Sequence, residues 1–247
     1  MVRSIAGQSI AELGGRWSVL VRQRSDHVTL DRLLHELDGA GPEHEQDVLR
    51  RLYRLVFPHA FAEESVLWPL MRRALADGEA LTLQVEREHQ EVNELVTRLE
   101  ATAPDDAARA PLLERLAEVL REDVRDEEDE LFPRLQAVTD QRELRRLGVL
   151  WELVRRIAPT RAHPVVARRP PGNVVSALPL SVVDRLRDLA DLGATRGPAR
   201  TRPALRAVSR GLGRLAHAIE RIPLLRIGED RSTSRAWAAG ATVRPAG

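Results

Sequence analysis

Cysteine and lysine are absent from the 247 residues, and aromatic residues make up only 3% of them. The lack of cysteine excludes disulfide bonds, thiolate metal sites and thiol catalysis. No run of about 18 apolar residues occurs and no apolar segment follows Met1, so neither a membrane span nor a secretory signal is expected. These absences favour a cytoplasmic protein. Apolar residues still reach 43%, and this composition favours helix-on-helix packing over a β-sandwich.

Charge divides the chain into two parts, although the formal net charge is only +1. Residues 159–247 contain 16 Arg and 6 acidic residues, whereas residues 1–158 carry a net charge of −9. A proline-rich stretch, residues 159–172, lies at the boundary and favours an extended linker. We therefore predict an acidic domain over residues 1–158, followed by a linker and a basic extension over residues 159–247.

Apolar residues recur at helical spacing along most of the first 158 residues. The pattern predicts an all-α fold with helices over residues 19–37, 45–75, 80–101, 107–135 and 141–157. Pro58 falls inside the second helix and is expected to kink it. The connections are short, so the first four helices should form an antiparallel, up-down-up-down four-helix bundle, to which the fifth helix is added. Residues 174–192 and 205–222 of the extension are predicted to be amphipathic helices.

Ligand-type residues interrupt the apolar stripes of the four bundle helices. They are His27, His59, Glu63, His89, Asp123 and Glu127. A single buried histidine is usually a hydrogen-bonded core residue, but three imidazoles and three carboxylates buried together are costly unless a cation balances them. His59 and Glu63 lie one helical turn apart, as do Asp123 and Glu127. Nitrogen and carboxylate ligands suit iron, manganese or zinc, so the pattern predicts a metal site in the bundle core.

Four segments, in order along residues 18–135, resemble the hemerythrin family in its bacterial cation-binding (HHE) branch. The segments are DHVTLDRLL, HAFAEE, EREHQEV and DVRDEEDELFP. The resemblance implies a non-haem di-iron centre, with matching positions at His27, His59, Glu63, His89 and Glu127. Two positions depart from the family: Asp123 stands where a histidine is usual, and Asn93 replaces a second histidine of oxygen carriers. Both departures make reversible oxygen carriage less expected.

The resemblance leads us to expect a di-iron protein that binds, senses or reacts with oxygen, peroxide or nitric oxide. Two alternatives stay open: iron binding or buffering without turnover, and a metal-free helical interaction module. No catalytic residue is assigned, and whether the protein is an enzyme stays open. We expect no nucleic-acid partner. We expect the basic extension to pack on the acidic bundle of its own or a neighbouring chain, which would be self-association, or to make peripheral contacts. His35, two turns after His27, and Glu64, which adjoins Glu63, are expected to lie beside the ligands or on the surface. His44, His163 and His217 are expected to have no role in the site.

Overall fold

The computed structural model describes residues 3–233, apart from the side chains of Pro42 and Glu43. The chain divides into two compact units between Arg156 and Ile157. The described residues form helices, turns and bends, with no β-strand among them. The predicted all-α fold is confirmed.

The first unit contains seven α-helices among its described residues. They are α1 (Val19–Asp38), α2 (Pro42–Ala62), α3 (Trp68–Ala74), α4 (Gly78–Ala101), α5 (Arg109–Asp126), α6 (Phe132–Val138) and α7 (Gln141–Ile157). Helix α1 packs against α2, α4 packs against both α3 and α5, and α5 contacts α1. These contacts close a four-helix bundle in which α2 and α3 form one long rod and α5 and α6 form another.

Each of the two long rods contains a single π-helical turn, which the periodicity did not predict. The turns span Glu63–Leu67, between α2 and α3, and Glu127–Leu131, between α5 and α6. Each begins at one of the carboxylates expected to bind metal. A π turn inserts an extra residue into the helix and is frequent at functional sites, because it re-aims the side chains around it. Pro58, where the sequence predicts a kink, lies inside α2, and the helix continues past it to Ala62.

Helix α7 packs across the beginning of α1. Gly148 makes this possible, because a Cβ atom at this position would lie 2.1 Å from the carbonyl oxygen of Trp17. The N-terminal segment packs at the same end of the bundle and buries Ile5 and Leu13 completely. Trp151 of α7 is also fully buried and belongs to the same apolar cluster as Ile5 and Leu13. Helix α7, predicted as the fifth helix, is therefore part of the core of the first unit.

The second unit is built on α8 (Gly172–Arg196) and α9 (Arg202–Glu220), which pack against each other. Its small apolar core consists of Val166, Leu180, Val183 and Ala216. The two amphipathic helices predicted for the extension are therefore present. Short 3₁₀ turns at Ala199–Thr201 and Pro223–Arg226 flank α9.

The proline-rich stretch is not the extended linker that its composition predicts. Thr160, His163 and Val166 are buried, and the His163 ring contacts Asp184 of α8 at 3.0 Å and Glu220 of α9 at 2.9 Å. An imidazole that binds a carboxylate at each nitrogen ties the stretch to both helices. The composition rule missed this because proline content reports backbone stiffness and does not report side-chain partners.

Among residues 3–233, no helix is both long enough and apolar enough to cross a membrane.

Candidate metal centre

The six residues expected to bind metal come together in the core of the first unit. His27 lies on α1, His59 on α2, His89 on α4 and Asp123 on α5. Glu63 and Glu127 begin the two π turns. Their ligand atoms form two groups, in each of which all the atoms lie within 4.8 Å of one another. One group is His27, His59, Glu63 and Glu127, and the other is His89, Asp123 and Glu127. Glu127 belongs to both.

Glu63 also connects the two groups. Its Oε1 lies 3.0 Å from Nε2 of His59, and its Oε2 lies 3.7 Å from Nε2 of His89. Nε2 of His27 lies 3.2 Å from Oε2 of Glu127. Glu63 and Glu127 are both fully buried. Two central carboxylates with histidine nitrogens on either side have the donor arrangement that can hold a pair of cations.

Each of the three histidines has a different carboxylate at its other ring nitrogen. Nδ1 of His27 lies 2.9 Å from Glu128, Nδ1 of His59 lies 3.2 Å from Asp26, and Nδ1 of His89 lies 2.9 Å from Glu64. A ring that donates its Nδ1 proton to a carboxylate keeps the lone pair of Nε2 for a cation. This outer carboxylate is typical of metal-binding histidines, because it fixes both the tautomer and the ring orientation.

Several atoms that face the centre are buried and make no hydrogen bond of good geometry, although some of them lie close to an oppositely charged group, as Nε2 of His27 does to Oε2 of Glu127. They are Nε2 of His27, both carboxylate oxygens of Glu63, both of Glu127 and Oδ1 of Asp123. Buried polar atoms are nearly always hydrogen-bonded, and each one left unsatisfied costs about 1–3 kcal/mol. A bound cation would satisfy all of them at once, so the residues present fit the metal that the donor set implies.

The buried carboxylates of this cluster favour protonated histidines, and burial together with their mutual repulsion favours a protonated Asp123. Burial disfavours the charged imidazolium, but the neighbouring Glu127 and Glu128 outweigh it and raise the pKa of His27 to about 9. Asp123 and Glu64 likewise overcome burial and raise the pKa of His89 to about 10. Burial, followed by the charge of Glu127, raises the pKa of Asp123. A cation that binds here must displace protons from the imidazoles, so its binding is coupled to proton release.

A cavity of about 20 Å³ adjoins the centre. That volume is enough for roughly one water molecule, and a diatomic molecule is of comparable size. Its polar side is formed by His27, His59, His89, Asn93 and Asp123. The remaining wall is mostly apolar and includes Leu30, Leu55, Val56, Phe57, Val92, Leu120 and Val124.

The other candidate residues either lie away from the ligand groups or form a hydrogen bond with the backbone. Asn93 is buried, and its side-chain amide donates to the carbonyl oxygen of His89 at 2.8 Å. His35 and His44 are exposed. His163 belongs to neither ligand group; it is the buried histidine of the second unit that contacts Asp184 and Glu220.

The family comparison agrees with this geometry. Residues 19–135 match the model of the hemerythrin HHE cation binding domain. This segment, a little under half of the chain, is therefore a domain of the hemerythrin HHE family, and the family match implies cation binding.

Two curated relatives match as well. An uncharacterised hemerythrin-like protein of Schizosaccharomyces pombe is 26% identical over 134 residues, which cover 54% of this chain and 66% of that protein. A protein named DNA nickase from a Nostoc species is 30% identical over 110 residues, or 44% of this chain and 31% of its own length. The chain thus spans less than two thirds of either relative. No solved structure matches the chain significantly.

The structure brings together all six residues that the sequence predicts as ligands, whereas the sequence analysis named only one of the three outer carboxylates. Glu64 was considered because it adjoins Glu63, whereas Asp26 and Glu128 were not singled out. A usable signal existed, since each of the three immediately precedes or follows a central residue in the sequence. Neighbours along a helix point about 100° apart, so a carboxylate beside one ligand reaches the histidine of a different helix.

Proposed function

We propose that the first unit binds two iron ions and that the bound iron reacts with a small oxidant or diatomic ligand, such as oxygen, peroxide or nitric oxide. His27, His59, Glu63, His89, Asp123 and Glu127 would hold the ions. The observation that carries the proposal is the common orientation of the three histidines, each with a carboxylate at Nδ1 and Nε2 towards the central carboxylates.

The residues of the chain have separate tasks in this proposal. Asp26, Glu64 and Glu128 orient the imidazoles, while Glu63 and Glu127 would supply carboxylate oxygens to the metal. Bound iron would supply one-electron chemistry. The apolar wall formed by residues such as Phe57 and Val92 admits a small uncharged molecule and restricts the number of water molecules beside the centre.

Metal analysis of protein purified from iron-replete cells tests the metal part of the proposal. We expect about two iron atoms per chain, and little manganese or zinc. The double variant His59→Ala with Glu63→Ala should lose most of this iron, because it removes two of the four residues of the first group, and one of them, Glu63, also lies 3.7 Å from His89 of the second group. His35→Ala is the matched control, since His35 is exposed on α1 and belongs to neither group. Full iron occupancy in the double variant would contradict the ligand assignment.

Reactivity requires a second measurement on the same samples. We expect the reduced, iron-loaded protein to consume oxygen or peroxide with a change in its optical spectrum, and we expect the double variant not to do so. If the protein holds two iron atoms but consumes neither oxidant and its spectrum does not respond to nitric oxide, its function is iron binding without turnover. The DNA-cleaving activity implied by the name of the Nostoc relative is not transferred, because the matched segment is less than a third of that protein.

A further inference from the structure

Helix α7 follows the segment that matches the family, yet two of its side chains reach the centre. The ring of Trp151 lies edge-to-face with the ring of His59, with 5.4 Å between their centroids and an angle of 87°. Arg155, one turn further along α7, lies over the ring of Trp151, with its guanidinium carbon 5.2 Å from the ring centroid. The residues around His59 therefore come from outside residues 19–135 as well as from inside.

The guanidinium of Arg155 also reaches the carboxylate that orients His59. Its Nη1 lies 3.6 Å from Oδ2 of Asp26, and the same oxygen lies 3.2 Å from Nδ1 of His59. A second acidic residue holds the arginine from its own helix, since Nη2 donates to Glu152 at 3.0 Å. Arg155, Asp26 and His59 thus form a continuous chain from α7 through α1 to α2.

His59 needs such support more than the other two histidines do. Its side chain is 11% exposed, against 4% for His27 and His89. Its partner Asp26 is also partly exposed, at 17%. A less buried ring and a carboxylate near solvent have more freedom to rotate, and a ring that turns over exchanges Nδ1 for Nε2. Trp151 limits rotation of the ring, and Arg155 holds the carboxylate.

We propose that Arg155 is a positioning residue of the metal centre: through Asp26, and with Trp151 as the wall, it keeps Nε2 of His59 directed at Glu63. This inference rests on the proposed metal binding. It assigns a role at the centre to a helix that the family match does not include. Arg155 itself touches no metal position, so its effect is on the affinity and geometry of the site and not on the number of ions bound.

Cobalt(II) is a suitable probe, because its visible absorption reports ligand geometry separately from affinity. Full-length protein is titrated with cobalt(II) against a competing chelator. The variant Arg155→Met keeps the aliphatic stem over Trp151 and removes the charge. Loss of the direct outer partner of a ligating histidine weakens metal binding by about 10- to 100-fold. Arg155 acts through that partner, Asp26, so we expect weaker binding that does not exceed this range, together with an altered cobalt spectrum at saturation.

Two further variants make the result specific. Arg156→Met is the matched control, because Arg156 also pairs with Glu152, at 2.8 Å, from the next position of α7. It should bind cobalt as the unmodified protein does. Arg155→Lys retains a positive charge near Asp26 and should recover most of the affinity, which a purely structural role of the guanidinium would not predict.

The outcomes separate this inference from the proposed function. If the unmodified protein and Arg156→Met bind no cobalt, the metal proposal itself fails. If Arg155→Met binds cobalt with unchanged affinity and an unchanged spectrum, the positioning role of Arg155 is overturned while metal binding stands. Equal weakening in Arg155→Met and Arg156→Met would also overturn it, because the effect would then belong to Glu152 or to the helix as a whole.

Discussion

At the scale of single residues, Asp123 most clearly distinguishes this centre from the family pattern. It is buried, 8% exposed, and its Oδ1 lies 3.7 Å from Nε2 of His89. The departure therefore lies at the centre and not on the surface. A carboxylate in place of an imidazole adds one negative charge to a site with little water around it. In such a setting, an added charge changes the relative stability of the ferric and ferrous states.

We expect Asp123→His to raise the reduction potential of the iron-loaded protein. The added carboxylate stabilises the more highly charged ferric state, so its removal should favour ferrous iron by about 59 mV for each tenfold change in relative affinity. A redox titration of both proteins measures this. As a control, Asp129→His places the same substitution at an exposed position of the second π turn. An unchanged potential in the Asp123 variant would contradict the electrostatic role of this carboxylate.

At the scale of secondary structure, the positions of the helices could be read from the sequence, whereas their irregularities could not. The α7 helix was predicted over the residues it occupies, and α1 was predicted to within one residue. The π turns at Glu63 and Glu127 were missed, because apolar spacing does not register one inserted residue in a continuous helix. The six residues predicted as ligands could be selected because a charged group in an apolar stripe is visible in the sequence alone, and the structure brings them together. The role of α7 at the centre could not be predicted, because it depends on which helices meet in space.

Gly148 of α7 illustrates a requirement that appears only in three dimensions. We expect Gly148→Ala to destabilise the first unit by about 1–3 kcal/mol or more, since the new methyl group would overlap backbone atoms of Trp17 and Val19. Urea denaturation followed by circular dichroism measures the change. The control is Gly211→Ala in α9, where a Cβ atom meets nothing within 4 Å. There we expect a gain of about 0.5–1 kcal/mol from helix propensity. An unchanged free energy of unfolding in Gly148→Ala would contradict the close crossing of α7 and α1.

The contacts of His163 with Asp184 and Glu220 should make the stability of the second unit depend on pH in both the alkaline and the acidic range. Burial opposes the charged ring, but Asp184 and Glu220 outweigh it and raise the pKa of His163 to about 9. A raised histidine pKa means stabilisation that is complete below the unfolded value, about 6.5, and that is lost as the pH rises through about 9. Burial would raise the pKa of Asp184, but His163 and the amide of Thr160 lower it. The stabilisation due to Asp184 is therefore lost as the pH falls below about 3.9.

His163→Ala tests these contacts, because it leaves two buried carboxylates without their shared partner. We expect a loss of about 3–5 kcal/mol at pH 7, and a smaller loss at pH 10, where the unmodified ring is already largely neutral. Amide hydrogen exchange of α8 and α9 measures the stability of the second unit separately. His217→Ala serves as the control, since His217 is exposed and lies 3.4 Å from Glu220. Equal losses at both pH values would contradict a charged His163.

At the scale of the whole molecule, all the residues assigned to the metal centre precede the boundary between the two units. The centre, its outer carboxylates and Arg155 all lie within residues 26–155, and the first unit ends at Arg156. The sequence predicted a boundary near this point from a change in charge and a cluster of prolines. We propose that the first unit folds and binds metal independently of the second.

A chain that ends at Arg156 tests this division. We expect it to remain helical and to bind iron with the stoichiometry of the full chain, since no assigned ligand is removed. Circular dichroism and metal analysis measure both properties. A truncated protein that is aggregated, or that is folded but does not bind iron, would show that the two units depend on each other. The control for preparation is the full-length chain purified in parallel.

The most direct test of the central claim is a crystal structure of the iron-loaded protein with anomalous scattering recorded at the iron edge. The claim is that six residues of the bundle hold two iron ions. It predicts two anomalous peaks in the first unit. One should lie among His27, His59, Glu63 and Glu127, and the other among His89, Asp123 and Glu127. A single peak, peaks elsewhere in the molecule, or no peak in protein that contains iron by metal analysis would contradict it.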